Sequence, residues 1–331
     1  MAYTLIGKDF TPPDVHGKVT GKAKYAEDFK VEGMLYARLL TSPIPHARIV
    51  RLDVSKALQM EGVVAVLTAD DVPEMPNLGN PILTNEPAYV GDPILAVAAV
   101  DEQTAEDAIE AIDFIFEPLP FVVDPLKSLQ PGGPHARIQG NVGNSTMREE
   151  FRSIHWTDDE FASLANNQLP QGEAAREWTV GDLEAGFDQA DYILDESFVT
   201  ASYSHNSMEP RSAMAYWENG KCFLYGSSQS QSFPVPGLAA YIGIEPENLV
   251  FVAEFCGGGF GSKGGPYPTM TIPAHLSRLT GRPVMLRISR EEEYYIGSAR
   301  HGFQGRAKMG FKEDGRITAI DLYIVQDNGA N

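Results

Sequence analysis

The chain predicts a mixed α/β protein in two domains, and three observations carry that reading. Residues 17–127 alternate strand-period and helix-period segments. Residues 128–178 are polar and irregular, with Gly132-Gly133, Asn141 and Asn144, and read as a linker. Residues 179–331 return to apolar strands, one of which breaks into the glycine cluster of Leu249-Val-Phe-Val-Ala-Glu-Phe-Cys-Gly-Gly-Gly-Phe-Gly-Ser-Lys-Gly265. At 331 residues the chain is long enough for two buried cores.

Taken in order, residues 1–20 carry Pro12 and Pro13 and read as an extended arm, of which 1–16 precede the first domain. Gly33–Leu40 reads as a strand, and Ser42–Val50 turns and begins another. Asp53 is placed to cap a short helix. Gly62–Leu67 and Gly91–Val100 are strands, separated by a Pro-rich loop at 72–87. Ala105, Ala108, Ile109 and Ile112 recur at the spacing of one helix face, opened by Asp101 or Thr104. Phe114–Pro120 is the last strand of this domain.

In the second domain, Tyr192–Thr200 is a strand. Ser212–Trp217 and Lys221–Tyr225 flank Glu218-Asn-Gly220, a hairpin signal. Leu238, Tyr241 and Ile242 mark a short helix. Leu249–Phe255 reads as a buried strand with the glycines at its carboxyl end, where ligands commonly lie. A helix near Ala274–Leu279 stops at Gly281, and Val284–Ser289 is a strand. Arg306–Lys312 and Arg316–Val325 form a hairpin around Glu313-Asp-Gly315, with Ile320, Leu322 and Ile324 on one face.

The glycine cluster is where chemistry is expected, because glycine lets main-chain N–H groups come close to a ligand. It is not a Walker loop, since Lys263 follows Ser262 rather than a glycine. Gly259, Gly261 and Gly264 satisfy G-x-G-x-x-G, but Pro266 and Pro268 follow where a dinucleotide fold would open a helix. A turn without a ligand needs fewer glycines than this. Composition narrows the partners. The net charge of −19 opposes nucleic acid and anionic membrane, and no apolar run approaches the roughly 18 residues of a span. The amino terminus has neither a basic flank nor an apolar signal core, so a cytoplasmic location is expected. Cys222 and Cys256 are the only cysteines, too few for an iron–sulfur cluster held by four thiolates of this chain, and Cys256 reads as a small core residue. The seven histidines are scattered, so no protein-ligated metal is expected.

Several motifs together resemble the molybdenum hydroxylase family, that of xanthine dehydrogenase and aldehyde oxidoreductase, in the first half of its molybdopterin-binding large subunit. Gly21-x-Ala-x-Tyr25-x-x-Asp28, Ser42-Pro-x-x-His46-Ala-x-Ile49 and Glu117-Pro-Leu-Pro120 with Asp124-Pro125 are similar to its α/β-hammerhead domain. Gly181-Asp182, His205-x-x-Met-Glu-Pro210, Ser228-Gln229, Gly257-Gly-Gly-Phe-Gly-x-Lys263, Gly281-Arg-Pro-Val284 and Arg290-Glu-Glu are similar to its first molybdenum-cofactor domain. The resemblance implies a hammerhead domain at 17–127 and a cofactor-binding domain at 179–331.

It further implies that Gln229 hydrogen-bonds an oxo ligand of molybdenum and that Gly258, Gly259, Phe260 and Gly261 line the cofactor. That cofactor is molybdopterin with molybdenum, in its cytosine dinucleotide form, and the pterin rather than protein holds the metal. His205 and Glu209 are assigned to packing and hydrogen bonding. The implied reaction hydroxylates an electron-poor carbon with water, a glutamate acting as base, and passes electrons to Fe–S and FAD subunits. The family places that glutamate in a Gly-x-Gly-Glu segment that these residues do not contain. No catalytic residue is therefore assigned here, and a second molybdenum-domain chain is expected to supply the base, with a fragment as the other possibility. Asn328-Gly-Ala330 resembles the opening of the next cofactor segment. Purine-oxidising relatives place a glutamate where Gly264 stands, which points to an N-heteroaromatic or aldehyde substrate. A non-catalytic assembly or scaffold protein is the alternative, and a glycine-loop nucleotide enzyme a weaker third.

Overall fold

The computed structural model describes residues 4–73, 81–125, 159, 178–327 and 329. The linker assigned to 128–178 lies outside them apart from residues 159 and 178, as do residues 74–80 of the Pro-rich loop and Asn328 and Ala330.

Strand-forming apolar runs drawn from both ends of the chain meet in one sheet. Its strands are β1 (Leu35–Thr41), β3 (Val63–Leu67), β4 (Pro93–Ala99), β8 (Ser212–Glu218), β9 (Lys221–Gly226), β10 (Leu249–Val252) and β11 (Val284–Arg287). They lie in the order β10-β9-β8-β11-β1-β4-β3. The join is the parallel pairing of Leu35, Tyr36 and Ala37 with Val284, Met285 and Leu286. Strands read as belonging to two domains thus share a ladder, which single-segment periodicity cannot reveal.

Every residue of β4 is buried, because helices cover both faces. On one side α3 (Glu102–Glu110) packs Ala105 and Ala108 against Leu95 and Val97. On the other, Leu276 and Ile272 of α6 (Ile272–Thr280) meet Leu35, Leu39 and Ala98. Asp101 caps α3 by accepting from the N–H of Thr104 at 2.8 Å. Gly281 ends α6 with φ +67°, the left-handed residue a helix stop favours. Helix α5 (Val235–Ile242) covers the other end of the sheet, with Leu238 and Ile242 on Leu224 and Met270. The β8–β9 hairpin turns through Asn219 and Gly220, both at positive φ, as its Asn-Gly signal requires.

Two further sheets flank this core. Strands β2 (Ala47–Asp53) and β5 (Asp113–Pro118) pair antiparallel, with Ile49, Leu52, Phe114 and Phe116 against the α3 side. Strands β6 (Tyr192–Thr200), β13 (Gly302–Phe311) and β14 (Ile317–Asp327) form the second, in the order β14-β13-β6. Helix α4 (Leu183–Asp188), capped by Asp182, packs Gly186 onto Thr318 and Ala319 at one end of it. Met309 aligns with Ile320 on one side and Leu194 on the other, and Leu194, Ile320, Leu322 and Ile324 are exposed. That face is an open apolar surface.

Three local readings are corrected. The arm is not extended throughout: Val15–Val19 forms the short helix α1, with an ion pair between Asp14 and Lys18 one turn apart. Asp53 is not the N-cap of α2 (Ser55–Leu58); Val54 holds that position, and the Asp53 carboxylate accepts from the Ser55 N–H at 3.0 Å. The strand before the glycines is β10, four residues long and half-buried, because it is the edge strand and pairs with β9 alone. Ala253–Cys256 leave the ladder before the glycines begin.

Candidate functional site

In the loop from Gly257 to Lys263, two glycines are packed so closely by side chains that a Cβ would have no room. A Cβ on Gly257 would lie 2.5 Å from the Glu209 Cβ, and one on Gly259 would lie 2.3 Å from Gln229 Oε1. Gly258 and Gly261 have φ of +106° and +103°. Phe260 also has positive φ, at +52°, a strained setting for a residue with a side chain, and its ring is 61% exposed.

Hydrogen bonds hold this backbone from behind. Glu209 accepts from the Gly257 N–H through Oε2 at 2.6 Å and from the Ala26 N–H through Oε1 at 3.3 Å, tying the first segment to the loop. The Gln229 Oε1 accepts from Gly261 N–H at 2.9 Å and Lys263 N–H at 3.3 Å, while the Gln229 N–H donates to the Lys263 carbonyl at 3.0 Å. Arg211 donates to the Ser262 carbonyl at 2.7 Å, and Arg300 donates to the Phe260 carbonyl. Arg211 is itself buried and paired with Glu293 of α7 (Arg290–Ile296), and its own main-chain N–H donates to that carboxylate at 2.7 Å.

Lys263 is fully buried and turns away from the loop surface. Its ammonium donates to the Glu209 carbonyl and, at 2.8 Å, to Ser227 Oγ, and stands 3.8 Å from the Glu209 carboxylate. Burial lowers its pKa, with the Glu209 charge acting against that shift. Burial raises the pKa of the Cys256 thiol, with the nearby Lys263 charge acting against that shift. His205 Nδ1 is 2.9 Å from the Ser298 carbonyl. Among the described residues, no cluster of His, Cys, Asp and Glu suits a metal, and no helix is long and apolar enough to cross a membrane.

What remains open is a set of donors. Among the described residues, none accepts from the N–H groups of Gly258, Gly259 and Phe260, and Gln229 Nε2 has no partner. The buried Ser207 hydroxyl next to Gly258 also lacks one. Consecutive free N–H groups beside a side-chain amide suit oxygen atoms of an electron-rich ligand. The structure therefore brings Gln229 together with Gly258, Gly259, Phe260 and Gly261. Arg211, Glu293 and Arg300 were not singled out from sequence. Arg211 directly follows Glu209-Pro210, a hint that its neighbours could have given; Arg300 is 40 positions from its partner and gives none.

A mixed α/β protein with a glycine loop held by side-chain hydrogen bonds, and with main-chain donors from which no described residue accepts, is the class these features define. Residues 165–331 match the molybdopterin cofactor-binding domain, and residues 20–120 match the aldehyde oxidase and xanthine dehydrogenase a/b hammerhead domain. The chain belongs to the aldehyde oxidase and xanthine dehydrogenase family and carries its molybdopterin cofactor-binding domain. It is similar to a probable xanthine dehydrogenase chain of Bacillus subtilis, 33% identical over 96% of this chain and 40% of that one. It is also similar to the nicotinate dehydrogenase large molybdopterin subunit of Eubacterium barkeri, 29% identical over 99% of this chain and 72% of that one. The quinoline 2-oxidoreductase of Pseudomonas putida superposes with a TM-score of 0.76 at 25% identity, over 96% of this chain and 39% of that one. The chain thus spans about 40% of the length of the first of these relatives.

Proposed function

We propose that this chain forms one wall of the cofactor site of a molybdenum hydroxylase. The observation that carries the reading is the donor set without a partner among the described residues: Gln229 Nε2 and the N–H groups of Gly258, Gly259 and Phe260, in a loop where Gly257 and Gly259 leave no room for a Cβ. These donors suit a bound molybdopterin, proposed in its cytosine dinucleotide form. Gln229 would donate to an oxygen on the metal, and the glycine backbone would let the group approach within contact distance. When bound, the cofactor supplies a redox centre that accepts the two electrons released as a substrate carbon exchanges hydrogen for the hydroxyl of water. This chain's part is to bind and orient that group, since Lys263, Glu209 and Arg211 are committed to the loop itself.

The substrate class we propose is an N-heteroaromatic or an aldehyde. Gly264 leaves that position without a carboxylate, and relatives named for nicotinate and quinoline point to the first of the two. The general base is proposed to come from a second molybdenum-domain chain, for which the open apolar face at Leu194, Ile320 and Leu322 is a suitable surface. Electrons are proposed to leave through Fe–S and FAD subunits, in a cytoplasmic complex.

The test is molybdenum and pterin analysis of the complex purified from its own source, with mass spectrometry of every co-purifying chain. Molybdenum and pterin near one per copy, with a chain bearing a Gly-x-Gly-Glu segment, support the reading. Neither group in any preparation that retains its partner chains would overturn it in favour of a scaffold role.

A further inference from the structure

Two peptide groups of the glycine loop are each gripped at both ends. The Phe260 carbonyl and the Gly261 N–H belong to one peptide; Arg300 donates to its oxygen, and its N–H donates to Gln229 Oε1 at 2.9 Å. The Ser262 carbonyl and the Lys263 N–H belong to another; Arg211 donates to its oxygen at 2.7 Å, and its N–H donates to the same Gln229 Oε1 at 3.3 Å. A guanidinium on a peptide oxygen polarises the amide and strengthens its N–H as a donor. It also fixes the plane, because the N–H of a trans peptide points opposite to its carbonyl.

We propose that Arg300 is a positioning residue that sets the orientation of the Gln229 side-chain amide, acting through the Phe260–Gly261 peptide. A glutamine amide has one accepting and one donating end. With two N–H groups aimed at its accepting end, the flipped amide would meet donors with donors and lose both bonds. Gln229 Nε2 is thereby the end of the amide that takes no partner from the loop. The left-handed Phe260 is the weak point, because a residue with a side chain relaxes from that conformation unless something holds it, and Arg300 holds its carbonyl.

Arg300 can be separated from the fold in a way Arg211 cannot. Arg211 is buried against Glu293, so its loss would damage the core. Arg300 is exposed on the two-residue strand β12 (Ala299–Arg300), and among the described residues its side chain bonds only to the Phe260 carbonyl. Its main chain, which pairs with Tyr203 and accepts from Ser202 Oγ, would be unaffected by a change of side chain.

The consequence for the cofactor rests on the function proposed above; the local geometry does not. The experiment therefore has two readouts on the purified complex, for wild type, Arg300→Met and Arg300→Lys. The first is millisecond hydrogen exchange resolved to single amides. Arg300→Met should speed exchange at Gly261 and Lys263 roughly tenfold. Gly257, held by Glu209, should stay unchanged, and Arg300→Lys should recover most of the protection. The second is the paramagnetic signal of the metal in the reduced complex, which should shift in Arg300→Met and return in Arg300→Lys. Unchanged exchange at Gly261 and Lys263, or faster exchange across the whole loop that lysine fails to restore, overturns the inference. A wild-type complex without molybdenum or pterin sinks the proposed function instead, and the exchange arm still decides the positioning role.

Discussion

The ammonium of Lys263 lies beneath the loop that carries it and serves the main chain of Glu209, 3.8 Å from that residue's carboxylate. Glu209 in turn holds the first glycine of the same loop. Loop and support are therefore one closed circuit, running from Gly257 through Glu209 to Lys263.

Breaking that circuit should be costly. Lys263→Met keeps an unbranched side chain, one atom shorter, but leaves the Glu209 carboxylate without its countercharge and two acceptors unfilled. Loss of one partner of a buried pair destabilises by about 3–5 kcal/mol. Urea unfolding should show this as a lowered midpoint. The double variant Lys263→Met/Glu209→Gln should lose less than the sum of the single changes, because the stranded charge is gone. Additive losses would mean that the two side chains do not act as a pair.

The glycines of the loop are not equivalent. Gly259→Ala would drive a Cβ to 2.3 Å from Gln229 Oε1, forcing the amide off its two donors. Overpacking of this kind costs about 1–3 kcal/mol, and cofactor content should fall with it. Gly264→Ala meets only the Gly261 carbonyl at 3.5 Å and needs no positive φ. That variant should stay within about 0.5 kcal/mol of wild type with its cofactor content intact. Thermal unfolding and pterin analysis of the two side by side would check this; equal losses would count against the contact with Gln229.

Elements whose information is local were legible in the sequence. The face of α3, its Asp101 cap, the Asn219-Gly220 turn and the Gly281 stop are each written in a few adjacent residues. The glycine loop was marked in the sequence as well, because glycines crowded after a strand have few other uses, and Gln229 is proposed from the family pattern around it. The rest depends on residues far apart in the chain. The parallel join of β1 to β11 pairs Leu35 with Val284, and no segment read alone announces it. Edge position rather than composition cut β10 to four residues. The grip of Arg211 and Arg300 on the loop depends on fold geometry, since an arginine beside a carbonyl leaves no periodic mark.

The Asp101 cap offers a local check. Its carboxylate satisfies the Thr104 N–H at the start of α3, and that contact holds its pKa below the usual carboxylate range. Asp101→Ala should lower stability, and Asp101→Asn should retain most of it because an amide oxygen can still accept. Denaturant midpoints of the two variants would separate capping from charge, since equal losses would assign the effect to the carboxylate's charge.

His275 sets the acid behaviour of the core. It sits on α6, buried, with Nε2 3.1 Å from the Tyr241 carbonyl, to which the neutral ring donates. Burial lowers its pKa from 6.5 to about 4, against the raising effect of that hydrogen bond. Between those values the unfolded chain binds a proton that the folded chain refuses, so protons favour unfolding. The contribution is fully present above pH 6.5 and is lost as the pH falls to about 4. At its full extent it is on the order of 3 kcal/mol. Urea midpoints measured from pH 7 to pH 4 should fall more steeply in wild type than in His275→Gln, whose amide can donate to Tyr241 without titrating. Parallel curves for the two proteins would show that the ring is not held neutral in the core.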